Sequence, residues 1–176
     1  MSDRQYAINL MVQVETAHSI PEARLAAAIR WLLSRENALP ESGLSVVLVG
    51  DEAVRALNRE YRGIDRPTDV LSFPAEASES PDDAGYLGDL VIAAPYLARQ
   101  AEAEGHTFGD ELLLAVIHGT LHLLGYDHDS LASQETMWTI QAEALAAAGV
   151  PIVVPRFSFD DSSDGDGDAD GQEAGE

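Results

Sequence analysis

Three histidines, His118, His122 and His128, stand at intervals that would let them meet at one point. The first two are four residues apart, so on a helix they lie one turn apart on the same face. Gly125 follows three residues after His122, where a glycine can adopt the left-handed conformation that ends a helix. The chain can then turn and bring His128 back to the other two. The spacing predicts a site for one Zn²⁺ ion per chain.

The same spacing matches the zinc-binding layout of the metzincin proteases, H-E-x-x-H-x-x-G-x-x-H, except at one position. Gly119 stands where those proteases carry the glutamate that acts as general base. The pattern therefore indicates a metal but not peptide hydrolysis by the usual route. A purely structural role is the competing interpretation, because residues 111–117 are almost wholly apolar and the helix is expected to be buried. Buried imidazoles without partners cost roughly 2 to 7 kcal/mol, which favours metal ligation.

The absence of cysteine restricts the chemistry of this site. It excludes disulfides, cysteine-ligated zinc and a thiol nucleophile. Three neutral imidazoles with no fourth ligand in the motif suit a catalytic zinc, which keeps one position open for water or substrate. Asp127 or Asp129 could supply a further metal ligand, or could accept a hydrogen bond from the ring N–H of a ligand histidine. Asp127 could equally be a turn residue.

Arginine supplies all ten basic side chains of the protein, and four of them are close together in the sequence. On a continuous helix they would form one stripe, which consists of Arg55, Arg59, Arg62 and Arg66. The neighbouring face is predicted to pack inward through Val54, Leu57, Asn58 and Tyr61. The stripe could contact a nucleic acid, or it could be an ordinary solvated face paired with Glu52 and Glu60.

The protein is strongly acidic, with a formal net charge of −21. Residues 1–159 alone hold 23 acidic against 10 basic side chains, which argues against broad nucleic-acid binding through bulk charge. Residues 160–176 are acidic and have almost nothing to bury, which predicts a disordered tail beyond a single folded domain at 1–159. No long apolar run and no signal-peptide pattern are present, so a soluble, cytoplasmic protein with no membrane partner is expected.

Predicted helices and strands are interspersed along the chain. Strands are expected at about 6–14, 44–49, 68–73 and 87–93, and helices at about 21–35, 51–62, 95–105, 108–124 and 133–148. A capping box of Ser19 and Glu22 is expected to open the first helix, and Asp51 and Thr107 to cap the second and fourth. The order predicts an α+β fold in which a small mixed sheet of about four strands packs with about five helices.

Two motifs resemble the YbeY family of bacterial endoribonucleases, also called rRNA maturation factors. The first reads His118-Gly119-x-Leu121-His122-Leu123-x-Gly125-Tyr126-Asp127-His128. The second reads Leu57-Asn58-x-x-Tyr61-Arg62-x-x-Asp65-x-Pro67-Thr68-Asp69-Val70-Leu71-Ser72-Phe73-Pro74. Leu87-Gly88-Asp89 and the strand after it also fit, so the resemblance covers roughly residues 5–150 and leaves the acidic tail outside.

The resemblance implies a zinc-dependent endoribonuclease that is specific for single strands. It implies action on ribosomal RNA of the small subunit, notably at its 3′ end, and a part in ribosome quality control. The expected partners are therefore ribosomal RNA and the small ribosomal subunit, and not DNA. By the same resemblance the three motif histidines would be the metal ligands, and Arg62 would be the functionally important arginine of the family.

The expected reaction is metal-assisted cleavage of a phosphodiester. The nucleophile could be a zinc-bound water or the 2′-hydroxyl of the RNA itself, and the sequence leaves both open. Arg62 would stabilise the charge that develops on the phosphate through its planar, two-point donor.

Two alternative functions make different demands on the metal site. A metalloprotease would need a base other than Gly119, and a non-enzymatic assembly factor would use zinc only to shape a binding surface.

Overall fold

The computed structural model describes residues 5–76 and 85–153, and within them it contains four strands and five helices. The elements in chain order are β1 (Ala7–Val12), α1 (Glu22–Arg35), β2 (Gly43–Val49), α2 (Asp51–Arg62), β3 (Val70–Pro74), β4 (Tyr86–Ala93), α3 (Ala94–Glu104), α4 (Phe108–Leu123) and α5 (Leu131–Ala147). The strands form one sheet in the order β1-β2-β4-β3. β1, β2 and β4 are parallel, and β3 is antiparallel to β4 at the edge. The predicted α+β fold with a mixed four-stranded sheet is confirmed.

The main core lies between one face of the sheet and the helices α1, α4 and α5. α4 is the central element, and nearly every residue from Phe108 to Leu123 is buried. This explains why the helix is apolar on all sides, because it contacts the sheet and three other helices. Each fully buried leucine contributes about 1.5–3 kcal/mol, so α4 is held firmly in place. The two histidines on α4 therefore project from a rigid support.

A smaller apolar cluster lies on the opposite face of the sheet, under α2 and α3. Val54 is fully buried there, and Leu57 packs against the cluster from the same side of α2. Asn58 is also buried, as predicted for this face. The prediction was wrong for Tyr61, whose residue surface is 64% exposed. It lies in the last turn of α2, where its ring makes an edge contact with that of Phe73 on β3 at 5.1 Å between centroids.

At two of the three predicted helix N-caps, the structure differs from the prediction. α1 begins at Glu22 with Pro21 before it and without a side-chain cap, so the predicted capping box of Ser19 is absent. That box would have placed Ile20 in helical conformation, which the following proline disfavours.

The predicted cap at Asp51 is also wrong. Asp51 is the first residue of α2, and Gly50 takes the capping position. The Asp51 carboxylate instead accepts the backbone N–H of Tyr96 at 3.0 Å, in the first turn of α3. It therefore ties two helices together. Thr107 caps α4 as predicted, by accepting the N–H of Asp110.

None of the helices in the described part of the chain is long and apolar enough to cross a membrane. The predicted disordered tail at 160–176 lies outside the described residues, and the domain boundary at 159 stays a prediction.

Candidate metal centre

The end of α4 positions the chain for a sharp turn after the second histidine. Gly125 has a φ of +95°, a value that favours glycine. Its N–H bonds to the carbonyl of His122 at 3.0 Å, and the N–H of Tyr126 bonds to the carbonyl of Leu121 at 3.0 Å. These two bonds are the Schellman pattern that closes a helix. The predicted helix end at Gly125 is therefore present, and the chain turns back toward α4.

The turn brings the three histidines together. The ring of His128 lies 5.7 Å from that of His118 and 4.9 Å from that of His122, between centroids. One nitrogen of each ring lies within 4.8 Å of the others, a group that could hold a metal ion. The Nε2 atoms of His118 and His122 are 3.0 Å apart. Two nitrogens bound 2.0–2.1 Å from a tetrahedral zinc would be about 3.3 Å apart, so the imidazoles fit such an ion closely.

His118 is held in place by a residue that the sequence did not reveal. Its Nδ1 donates to the side-chain oxygen of Gln141 on α5 at 2.9 Å, and both residues are buried. Burial, together with the neighbouring His122, lowers the pKa of His118 to about 3. The ring is therefore neutral near pH 7, as a metal ligand must be. The spacing could have indicated that Gln141 faces the core, because it is four residues from both Met137 and Leu145, which are buried on the same face of α5.

The loop that carries His128 is attached to the rest of the fold through Tyr126. The hydroxyl of Tyr126 donates to Glu36 at 2.5 Å, a contact that raises the pKa of the tyrosine. Glu36 in turn contacts Arg35 at 2.6 Å, and Arg35 contacts Glu143 on α5 at 2.8 Å. The sequence did not indicate this network. It joins the ends of α1 and α5 to the metal-site loop.

Asp127 stabilises the turn that leads to His128. Its carboxylate accepts the backbone N–H of His128 at 2.6 Å, and its side chain lies in the wall of the cavity next to the histidines. Within the described residues, the compact group of potential ligands holds the three imidazoles and no carboxylate. Neither Asp127 nor Asp129 therefore belongs to that group, which leaves room for water or substrate.

A cavity of about 400 Å³, which we call the histidine cavity, opens beside the three histidines. α2 contributes Arg62, the loop after it contributes Thr68 and Asp69, and β3 contributes Ser72. Arg62 thus lies in the wall of the cavity that also holds the histidines, although they are distant in the sequence.

The other arginines of the predicted stripe take different positions. α2 ends at Arg62, and Gly63 follows with a φ of +71°, so the stripe does not continue as a helix to Arg66. Arg55 binds Asp65 at 2.9 Å, and Arg59 is 4.0 Å from the same carboxylate. Arg66 lies in the loop, beside a second, smaller cavity. Among the four, Arg62 is the one that lines the histidine cavity.

Asp69 is a buried carboxyl in the wall of the same cavity. One of its oxygens accepts the N–H of Val70 at 2.8 Å and the hydroxyl of Thr68 at 3.2 Å. Burial raises its pKa to about 6, although these hydrogen bonds act in the opposite direction. From the sequence, this segment was predicted as a strand at about 68–73 and as part of the second family motif, without a role for Asp69.

Gly119 allows α4 to lie directly on the sheet. The hydroxyl of Ser72 on β3 donates to its carbonyl at 3.3 Å. A Cβ atom at this position would be 2.8 Å from the Cδ2 of Leu90 and 3.2 Å from the Oγ of Ser72. Leu90 is fully buried, so it has little space into which to move. A side chain at 119 would therefore crowd Leu90 and Ser72, which gives a packing reason for glycine at this position.

Comparison with known proteins agrees with this geometry. The family model described as Endoribonuclease YbeY matches residues 11–149. The chain belongs to the YbeY family. The match includes all three histidines and Arg62, so the site described above lies inside the shared region.

Individual YbeY proteins are similar over most of their length. The Endoribonuclease YbeY of Halorhodospira halophila is 43% identical over 147 residues, which cover 82% of this chain and 94% of the relative. That of Frankia casuarinae is 44% identical over 139 residues, which cover 74% and 69%. A Thermotoga maritima protein with a known solution structure matches with a TM-score of 0.52 and 26% identity, over 85% of this chain and 99% of its own.

Proposed function

We propose that this protein is a zinc-dependent endoribonuclease that cleaves single-stranded RNA. The observation that carries the proposal is the meeting of three imidazoles in one cavity with Arg62 in its wall. The relatives named Endoribonuclease YbeY support cleavage of RNA as the reaction. His118, His122 and His128 would hold one Zn²⁺ ion per chain.

The groups that line the cavity would each have a separate role in phosphodiester cleavage. A zinc ion held here supplies Lewis acidity, by which it can lower the pKa of water or polarise a phosphoryl oxygen. Arg62 would hold the phosphate oxygens through two parallel N–H donors and stabilise their growing negative charge. Gln141 would keep the Nε2 of His118 directed at the metal. The nucleophile is either water or the 2′-hydroxyl of the RNA.

The size and charge of the site favour an unpaired strand. A cavity of about 400 Å³ has the dimensions of a small-ligand pocket, which favours a strand that presents unpaired nucleotides. The net charge of −21 repels nucleic acid at a distance, and contact must therefore be made locally. Arg66 is proposed as a further RNA contact, and RNA contacts by Arg55 and Arg59 stay predictions.

The biological substrate proposed from the family resemblance is ribosomal RNA of the small subunit, near its 3′ end. The small ribosomal subunit is the proposed partner and the cytoplasm the proposed compartment. A precursor RNA with this 3′ end, compared with a single-stranded RNA of unrelated sequence, tests whether the protein prefers the ribosomal sequence.

The experiment that tests the function uses chelator-treated protein with and without added Zn²⁺. The substrates are single-stranded RNA, the same RNA in a duplex, and single-stranded DNA of the same sequence. Cleavage of the single-stranded RNA alone, dependent on zinc, is expected. The His122→Ala variant should hold much less zinc than one ion per chain by elemental analysis and should not cleave, because two imidazoles bind zinc weakly.

Two outcomes would contradict the proposal. Full zinc content in the His122→Ala variant would remove this histidine from the metal site. Tight RNA binding by the zinc-loaded protein without any cleavage would favour the non-enzymatic assembly factor instead.

A further inference from the structure

A second, smaller cavity of about 100 Å³ adjoins the histidine cavity. Both cavities are lined by Arg62 and Thr68, so these two residues form a shared wall. On the far side of this wall lie Asn58, Arg66 and Pro67. A strand bound in the histidine cavity would therefore reach the smaller cavity as its next point of contact.

The fold fixes the position of the loop that builds the smaller cavity. The side-chain N–H of Asn58 on α2 donates to the backbone carbonyl of Arg66 at 2.9 Å, and Asn58 is only 2% exposed. The backbone N–H of Ile64 bonds to the carbonyl of Asn58 at 3.3 Å. Pro67 then restricts the backbone directly after Arg66. Arg66 is thus carried by a loop pinned at both ends, although its own side chain is exposed.

The charge around this cavity differs from that of the protein as a whole. Two of the ten arginines line it, in a chain whose net charge is −21. No acidic side chain from residues 5–76 or 85–153 is part of its lining. Arg55 and Arg59, on the same helix as Arg62, line neither cavity. Among the arginines of the described residues, Arg62 and Arg66 are the ones that face the two cavities.

We propose that the smaller cavity is a subsite for a second phosphate of the RNA strand, next to the phosphate that is cleaved, and that Arg66 is its principal donor. This inference rests on the proposed function, because it takes RNA as the ligand. The small volume suits a phosphate better than a base. Guanidinium groups form two parallel hydrogen bonds to phosphate oxygens, and Arg62 could contact both phosphates from the shared wall.

The test measures binding without metal, so it does not depend on cleavage. A fluorescent single-stranded hexamer of uridine is titrated with chelator-treated wild type and with the Arg66→Gln variant. We expect binding about tenfold weaker for Arg66→Gln, as for a lost charged hydrogen bond. The slope of log affinity against log salt concentration should fall in magnitude by about 0.7, the value for one phosphate contact on a single strand.

Two further variants separate a phosphate contact from a general charge effect. Arg30→Gln makes the same change of charge at an exposed site on α1, and less than a twofold change in affinity is expected. Arg59→Gln changes an exposed arginine of α2 that lines neither cavity, and it should also cost less than Arg66→Gln. The Arg66→Lys variant should keep part of the affinity, because it retains the charge but loses the two-point geometry.

The subsite would be overturned by equal affinity losses for Arg66→Gln and Arg59→Gln, which would indicate a diffuse stripe. An unchanged salt slope for Arg66→Gln, or no binding by the metal-free wild type, would also overturn it. Failure of the proposed function has a different signature, namely no RNA cleavage by the zinc-loaded wild type. The two failures can thus be told apart in the same set of proteins.

Discussion

The Nδ1 atom of His118 and the side-chain oxygen of Gln141 are joined by a hydrogen bond of 2.9 Å between α4 and α5. An amide oxygen can only accept, so Nδ1 carries the proton and Nε2 keeps the lone pair that a metal needs. The bond thus selects the tautomer of the histidine and fixes the orientation of its ring. Gln141 acts on the metal through His118.

We expect Gln141→Leu to weaken zinc binding by about 10- to 100-fold, the usual effect of losing such a partner. Gln141→Glu should bind zinc nearly as well as the wild type, because a carboxylate also accepts from Nδ1. Affinities are measured by competition with a chromophoric chelator. Equal affinity in the Leu variant and the wild type would show that the ring is oriented by packing alone.

The local parts of the site were predictable from the sequence. The interval between His118 and His122, and the glycine three residues later, describe one helix and its end, and both depend on neighbours in the chain. The interspersed strands and helices likewise indicated the class of the fold. These features follow from backbone geometry, which short stretches of sequence determine.

The remaining parts depend on contacts between distant segments. Glu36 and Tyr126 are 90 residues apart, and no local pattern joins them. Asp51 looked like the cap of its own helix and instead binds the first turn of α3. Asp69 lies in the loop before β3 and is buried, and its carbonyl accepts the N–H of Ala93, a residue 24 positions away in the chain.

Gly119 should be intolerant of any side chain. A methyl group pressed onto Leu90 should cost about 1–3 kcal/mol, against a gain of about 1 kcal/mol that alanine brings to a helix interior. We therefore expect Gly119→Ala to lower the free energy of unfolding by up to about 2 kcal/mol. Urea denaturation with chelator present measures the difference.

Gly109, in the first turn of the same helix, provides the matched control. A Cβ there would be 3.5 Å from the Cγ of Pro21, an ordinary contact. Gly109→Ala should therefore be neutral or slightly stabilising. If Gly119→Ala were as stable as Gly109→Ala, close packing of α4 on the sheet would not be the reason for glycine at 119.

Asp69 should make stability depend on pH. Its pKa is raised from 3.8 to about 6 by burial, so the folded state resists ionisation of this carboxyl. Well below pH 3.8, the ordinary pKa of an aspartate, the group is protonated in both states and has no effect. Its cost to stability develops as the pH rises from about 4 to 6 and is complete above that range, where it reaches on the order of 3 kcal/mol.

Asp69→Asn should therefore be more stable than the wild type by about 1–3 kcal/mol at about pH 7.5 and nearly equal to it at about pH 4. The asparagine oxygen can still accept from Val70 and Thr68. Urea denaturation of both chelator-treated proteins across this range gives the comparison. A gain that is the same at both pH values would mean that ionisation of Asp69 is not its source.

Arg62 should affect turnover far more than folding. It is exposed at the end of α2, so Arg62→Ala should change the free energy of unfolding by no more than about 1 kcal/mol. Zinc content should stay the same, since arginine is not a ligand. If Arg62 stabilises the transition state, cleavage of single-stranded RNA should fall about a hundredfold or more. Arg62→Lys should restore only part of the rate, because lysine keeps the charge but lacks the planar fork.

Single-turnover cleavage by the three zinc-loaded proteins at saturating RNA separates the chemical step from binding. This separation matters here because Arg62 lines both cavities and could contribute to affinity as well as to rate. A loss that disappears at saturation would assign Arg62 to binding of the strand. Equal single-turnover rates for Arg62→Ala and the wild type would thus leave the histidine group as the sole element of the site tied to the chemical step.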